Sequence, residues 1–474
     1  GLIGIIQLVN ALKGLVVLPV ITKLLGAKNY GIWAQLGVSL SLIPPLALLG
    51  LPTALVRFLA TKKDKKEIRE EIYSSALIIF SVSTVIALLI FFFAAPIAVF
   101  FRCQPILIQI FSLIIVFECL NSLFLNIFRS FGEIGKFSFF TIFQSIGEVS
   151  LIALTVLLGY GLSGAIASLF VIRFITFLIL AVLIVKKIGI GLPRFSKTKE
   201  YLSFGIPTVI SGIAYWFVTS SDKFLIGSFL GPLAVGYYSP PYTLGNTLYF
   251  FVFPFIIVLP TILPKYFDEN KIEEVRSYMQ YSLKYFLLVA IPCVFGLSVL
   301  SKPLLEFFST VEIASNGYLI TPFIALSVLL YGSYTVIAQT FGLLKKTKLI
   351  GKIWIITAVF NFSLNFLAIP VLGIIGAAIT TLLAYALALS LTFYYTSKDL
   401  AFKLNNGFIV KSIFASILMS LPIFWYSPNG FRQIIIAIIF GVVAYTALVF
   451  LFNGLDKKET AFLKQLLTPF RTKL

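Results

Sequence analysis

The chain has 474 residues, 59% of them hydrophobic and 12% charged, with a mean hydropathy of +1.03 and a formal net charge of +19. Soluble domains carry roughly 25% charged residues, so a set of ordinary soluble domains is excluded and the bilayer is the expected solvent. With no histidine and three cysteines (Cys103, Cys119 and Cys293), a disulfide framework, a Cys/His zinc centre and histidine acid–base catalysis are excluded as well.

Fourteen apolar runs follow one another along the chain: 2–22, 31–54, 74–98, 106–128, 137–159, 163–185, 203–225, 234–262, 282–304, 318–342, 350–371, 374–396, 408–426 and 433–453. They are apolar all round rather than alternating, which predicts transmembrane helices and not barrel strands. The expected fold class is therefore an all-α integral membrane protein of about fourteen transmembrane helices.

The first run holds Gln7, Asn10 and Lys13 and lacks a small-residue cleavage pattern, so a retained helix is expected rather than a signal peptide. The three polar residues recur at steps of three and share one helix face, suited to a wet cavity; a lysine snorkelling to the headgroups is the alternative. Span two is interrupted by Pro44, Pro45 and Pro52, and span eight by Pro254 and Pro260, marking both as candidate hinges.

A charge inside a span costs at least about 2.5–3.5 kcal/mol on insertion scales and by default suggests function. In spans four, five and six the charges are Glu118, Glu148 and Arg173, read as a buried triad or, for the carboxylates, as a site for a coupling proton or sodium ion. Span seven carries Ser211, Tyr215, Thr219 and Asp222 on one face, with Lys223 beside them. Asp222 is a further coupling-ion candidate; the alternative is that Asp222 and Lys223 pair with other groups at the interface. Tyr30, Trp33, Tyr237 and Tyr238, at span ends, are read as interfacial aromatics.

Sorting the basic residues fixes an expected orientation. With Lys284, Lys302, Lys352 and Lys411, near span ends, counted in the adjacent connections, twenty-nine of the 37 fall in one alternate set of connections and the tail, five in the opposite set, and three (Lys13, Arg173, Lys223) within spans. The positive-inside rule then puts both termini in the cytoplasm, and the position of the cations between apolar runs argues against nucleic acid as a partner.

The halves repeat. Leu25-Gly26 and Gly31-Ile32-Trp33-Ala34 match Leu230-Gly231 and Gly236-Tyr237-Tyr238-Ser239; Leu51-Pro52-Thr53 matches Leu259-Pro260-Thr261; Gly161 to Ala165 matches Gly373 to Ala377. Equivalent positions lie six spans apart, so the repeat is parallel, as in some secondary transporters. The expected domains are a first lobe over 1–199, a second over 200–399 and a terminal helix pair with a tail over 400–474, the lobes facing a central cavity. Arg57 and Lys265 are equivalent under the repeat, and two such cations suit a phosphate or diphosphate.

The stretch Thr22 to Ala60, with LLGAKNYGIWA and LPTALVRF, resembles the first helix pair of the polysaccharide-transport flippases of the multidrug/oligosaccharidyl-lipid/polysaccharide exporter superfamily. Phe204 to Ser239, with FGIP, SSDKFLIGSFLG and VGYYS, and NFSLNFLAIPVLGIIGAAIT from Asn361 to Thr380, resemble later helices of the same family. The resemblance implies a twelve-helix two-lobe core with two added helices, rocking between inward- and outward-facing states. It also implies a polyprenyl-diphosphate-linked oligosaccharide as substrate, a cation-lined cavity to which Lys13, Arg57, Arg173, Lys223 and Lys265 would contribute, and no cofactor beyond a coupling H+ or Na+. A monomer in the cell membrane, among membrane lipids and with glycan-assembly proteins as associates, is the expected setting. A lipid II flippase is the rival reading, followed by a multidrug/cation antiporter. A glycan polymerase or ligase fits least, because the outer connections are short and carry no paired carboxylates.

Overall fold

The computed structural model describes residues 2–59, 62, 64–400, 406–454 and 459; among helical residues, the side chains of Gln7, Asn10, Ser211 and a few others lie outside the description. Of the loop and tail cations, Lys63, Lys403, Lys457, Lys458, Lys464, Arg471 and Lys473 lie outside it too.

Every regular element among the described residues is helical. In chain order these are α1 (Leu2–Leu48), α2 (Leu51–Leu59), α3 (Lys65–Phe92), α4 (Ala94–Phe101), α5 (Pro105–Ser130), α6 (Ile134–Leu157), α7 (Gly161–Ile188), α8 (Thr198–Leu230) and α9 (Pro232–Asn246). There follow α10 (Phe253–Asp268), α11 (Ile272–Phe308), α12 (Val311–Gly317), α13 (Ile320–Ile337), α14 (Gln339–Leu343), α15 (Thr347–Asp399), α16 (Asn406–Tyr426) and α17 (Phe431–Leu451).

Twelve continuous helical stretches among the described residues are long and apolar enough to cross a membrane. Two of them are double. At 47 residues α1 is about 70 Å long at 1.5 Å per residue, more than twice a hydrocarbon core. It breaks at Gly26 (φ 80°, ψ 172°), and α15, of 53 residues, breaks at Gly373 (φ 63°). The twelve stretches thus supply the fourteen crossings read from the sequence.

The repeat is visible in the backbone. Gly26 and Gly231, matched by sequence, have nearly the same conformation (φ 80°, ψ 172° and φ 88°, ψ 175°), which only glycine adopts without strain. Gly161 and Gly373, also matched, have φ of 60° and 63°. Spans two and eight are both broken: α1 yields to α2 at Leu49–Gly50, and a 3-10 turn over Thr247–Phe251 separates α9 from α10. Span eight is therefore not the single helix expected over 234–262; Pro254 falls in the first turn of α10, where it starts a helix rather than bending one.

By packing, the chain forms two compact units. The first comprises Gly1–Thr243, Phe308–Asn316 and Trp354–Thr381; the second comprises Leu244–Phe307, Gly317–Ile353 and Leu382–Leu474. Within the first, α5 packs on α3, α6 and α7 around a core that includes Ile114, Ile115, Leu123 and Ile127, all fully buried.

A seam between α1 and the α8–α9 pair belongs to the same unit. A Cβ built on Gly31 would lie 1.7 Å from the Pro232 carbonyl oxygen, and one on Gly236 would lie 2.0 Å from that of Ala27. Because Gly31 and Gly236 are repeat partners, each half offers a glycine to the other's backbone at the same place. Further along, Trp216 Nε1 donates to Ser41 Oγ at 2.9 Å, and Gly50 and Gly205 touch backbone to backbone.

In the second unit α16 packs on α17, and Lys284 of α11 is buried and paired with Glu459 at 2.7 Å. Lys284 is thus a core residue and not one of the loop cations with which its basic character grouped it.

Candidate functional site

The charges of spans one, four, five and six converge inside the first unit. Lys13 Nζ on α1 donates to Glu148 Oε1 and Oε2 on α6 at 3.1 and 3.2 Å. Glu148 Oε2 also accepts from Arg173 Nη1 on α7 at 2.9 Å, and Arg173 Nε donates to Glu118 Oε2 on α5. With its amide oxygen turned to the guanidinium, Gln144 accepts from Arg173 Nη1 at 3.1 Å and Nε at 2.9 Å. The expected triad is present, and Lys13 extends it to four charges from four helices.

Local sequence brings these helices close enough. Gly147, beside Glu148, leaves no room for a Cβ, which would meet Ile172 Cδ1 at 2.4 Å, so α6 and α7 approach at the level of the ion pair. Asn121, one turn beyond Glu118 on α5, donates Nδ2 to the Arg173 carbonyl oxygen at 2.8 Å. One face of α5 therefore grips both ends of Arg173. Two positive and two negative charges cancel, so a cluster that would be very costly as isolated ions is tolerable in a dry bundle.

Two cavities border the cluster, and both are lined by Lys13, Glu148 and Arg173. One, of about 280 Å³, runs along Tyr30, Trp33, Leu36, Phe111 and Thr243. The other, of about 300 Å³, is walled by Glu118, Asn121, Ser122, Asn126, Thr141 and Gln144. Lys13 and Glu118 keep 28% and 29% of their side chains exposed, against 8% for Glu148 and Arg173. The cluster is reachable at its edges and closed at its centre.

A second polar group lies on α8, α9 and the 354–381 segment. Asp222 is buried and accepts from Tyr238 Oη at 2.5 Å and from the Lys223 N–H at 2.7 Å. Lys223 Nζ sits 3.7 Å from the centroid of the Tyr242 ring, and no Lys or Arg side-chain nitrogen among the described residues lies within 4.0 Å of the Asp222 carboxylate. Asp222 thus pairs with a tyrosine hydroxyl, and Lys223 with a tyrosine ring face. Fully buried Asn361 and Asn365 bond each other, and Thr380 Oγ1 donates to Asn365 Oδ1 at 2.6 Å.

Arg57, at the end of α2, is exposed, with its guanidinium carbon 4.5 Å from the Phe204 ring centroid. Next to it Phe58 stacks on Tyr201, whose hydroxyl donates to buried Glu71, and Glu71 in turn holds Lys62. Burial alone would lower the Lys62 ammonium; its hydrogen bonds to Glu67 and Glu71 outweigh that and hold it above its ordinary value. Lys265 stands exposed on α10 in the second unit. Gln7 and Asn10 are on α1, about two turns and one turn before Lys13, with their side chains outside the description.

The aromatics depart from expectation. Tyr30 and Tyr238 are 7% and 0% exposed, so they are core residues and not belt residues; their hydroxyls find partners inside, which is what permits burial. Gln35, Asn121 and Asn361 are buried polar residues to which the sequence alone assigned no role. A count of polar side chains on otherwise apolar spans would have found all three.

A family model described as polysaccharide biosynthesis protein matches residues 1–267, more than half of the chain. The chain belongs to that family. A second model, MatE, matches residues 207–367. A relative from Haloferax volcanii, named probable low-salt glycan biosynthesis flippase Agl15, is 26% identical over 277 residues; the match spans 57% of each chain.

Among solved structures, a lipid II flippase MurJ in an inward closed conformation superposes with a TM-score of 0.76 at 18% identity, covering 94% of this chain and 98% of that one. An inward-facing multidrug resistance MATE transporter of the MOP superfamily gives 0.64 at 14% identity, covering 83% and 94%. A MOP superfamily transporter from Pyrococcus furiosus, described as having a binding pocket of reverse polarity, gives 0.57 at 15%, covering 84% and 94%. The fold is that of a two-lobe membrane transporter.

Proposed function

We propose that the protein is a flippase that carries a polyprenyl-diphosphate-linked oligosaccharide from the cytoplasmic to the outer leaflet for surface glycan assembly. The observation that carries the reading is a four-charge cluster set between two cavities in the midst of apolar helices, in a member of the polysaccharide biosynthesis protein family. A lipid tail can stay in oil while a polar head occupies such cavities. The Haloferax relative bears the name of a glycan biosynthesis flippase, which favours a glycan load; lipid II is the alternative load. Transport by alternating access, without covalent chemistry, is the proposed activity. The protein would sit in the cell membrane with both termini cytoplasmic, as a monomer, with glycan-assembly proteins as associates.

Lys13, Arg57, Arg173, Lys223 and Lys265, with Gln7 and Asn10, are the proposed substrate-facing set. Within it Arg57 and Lys265 would carry the diphosphate: both are exposed, and neither makes an ion pair within 4.0 Å among the described residues, although the charge of Lys265 reaches Glu269 one turn on. For the coupling H+ or Na+, Asp222 is preferred to Glu118 and Glu148, whose charges are already answered by Arg173 and Lys13. Pro44, Pro45, Pro52, Pro254 and Pro260 lie within the two broken spans, whose breaks are the proposed hinges.

Replacing Arg57 and Lys265 together by glutamine is expected to reduce flipping about tenfold or more while membrane insertion is unchanged. Flipping by the double variant at the wild-type rate, scored in reconstituted vesicles, would remove the pair from the site.

A further inference from the structure

The 300 Å³ cavity offers chemistry that neither a phosphate nor a prenyl tail would use. Its cations are spent: Arg173 is shared among Glu118, Glu148 and Gln144, and Lys13 is held by both oxygens of Glu148. The volume lies at the lower end of the roughly 300–1,000 Å³ found for small-molecule sites, and the wall is polar.

What the wall presents is mostly acceptors. Thr141 gives its hydroxyl proton to the Phe137 carbonyl oxygen at 2.8 Å, and Asn126 gives Nδ2 to the Ser122 carbonyl oxygen at 2.8 Å. Thr141 keeps oxygen lone pairs, and Asn126 Oδ1, which accepts from Arg129 Nη1 at 3.2 Å, keeps one. Glu118 uses one carboxylate oxygen on Arg173 and is partly exposed. Asn121 is 1% exposed, and its Oδ1 has no hydrogen-bond partner among the described residues. A buried acceptor left unpaired costs about 1–3 kcal/mol, so such a wall favours an incoming donor. Phe137 supplies a ring face at the same cavity.

A ligand rich in hydroxyl donors, with an apolar face and no net charge, matches this wall. We propose that the cavity between α5 and α6 is a subsite for a sugar ring of the head group, and that it sets glycan selectivity separately from diphosphate binding. The inference rests on the flippase reading.

The test uses the purified full-length protein and two probes: a polyprenyl diphosphate, and the same lipid with one hexose on its diphosphate. Wild type is expected to bind the hexose-bearing lipid about tenfold more tightly. Asn121→Leu is the most direct variant, but Asn121 also holds the α7 backbone. Thr141→Val and the cavity-filling Ser122→Met leave the ion cluster alone; each is expected to lose most of the tenfold preference, with binding of the bare lipid unchanged. Equal binding of the two lipids by wild type, a preference that survives both variants, or a parallel loss for both lipids would overturn the subsite. Binding of neither lipid by wild type would overturn the flippase reading itself, and the subsite with it.

Discussion

Replacing Glu148 by alanine is expected to destabilise the protein by about 3–5 kcal/mol, the largest effect of any single change considered. Glu148 is the only carboxylate in the cluster that touches both cations, Lys13 at 3.1 Å and Arg173 at 2.9 Å. Its removal leaves Glu118 alone against two positive charges, one of them on an arginine only 7% exposed. Arg173, at the closed centre of the cluster, cannot find bulk water without dragging its helix. The expected result is a large drop in thermal stability of the purified protein in detergent, with low membrane yield. Removing Arg173 at the same time, as Glu148→Ala with Arg173→Leu, should recover part of the loss because Lys13 and Glu118 then balance. A double variant no better than the single one would show that the four charges do not act as a unit.

The second large effect concerns the seam. Gly31→Ala and Gly236→Ala should each destabilise by about 1–3 kcal/mol, because the added methyl falls on backbone that cannot rotate away. A Cβ there would stand 1.7 Å from Pro232 O and 2.0 Å from Ala27 O. Gly37→Ala, on the same helix with nothing within 4 Å of its Cβ, is the control and should be close to neutral. If alternating access opens this seam, the two glycine variants should also favour the open state, so that a cysteine placed near Gly31 reacts faster with a water-soluble thiol reagent. Unchanged melting and unchanged labelling would mean that the contact does not matter.

Much of the fold was legible because the bilayer writes a coarse signal. Apolar runs and basic connections alternate along the chain, and the matched glycines Gly26 and Gly231 carry one backbone conformation, so the repeat could be read in letters and seen again in dihedrals. The triad of Glu118, Glu148 and Arg173 was legible for the same reason: charges are so costly in spans that three in neighbouring helices must meet something.

Adjacency was not legible. Nothing local to Lys13 says that α1 lies against α6, and its snorkelling alternative has the same sequence signature as a buried pair. Tyr30 and Tyr238 sit near the ends of apolar runs, where belt tyrosines also sit; only their neighbours, unseen in sequence, decide that they are buried. Span eight kept its apolar character through the Thr247–Phe251 turn, so hydropathy could not register the break. Lys284 looked like a loop cation because its partner, Glu459, is 175 residues away.

The central claim is movement of a glycolipid head across a membrane. It is tested most directly by reconstituting the protein into vesicles with a fluorescent polyprenyl-diphosphate-linked oligosaccharide in one leaflet, then following its accessibility to a membrane-impermeant quencher. The account predicts protein-dependent transfer between leaflets that falls about tenfold or more in the Arg57→Gln, Lys265→Gln double variant. Folded, inserted protein that leaves the lipid in its starting leaflet at the protein-free rate would contradict it.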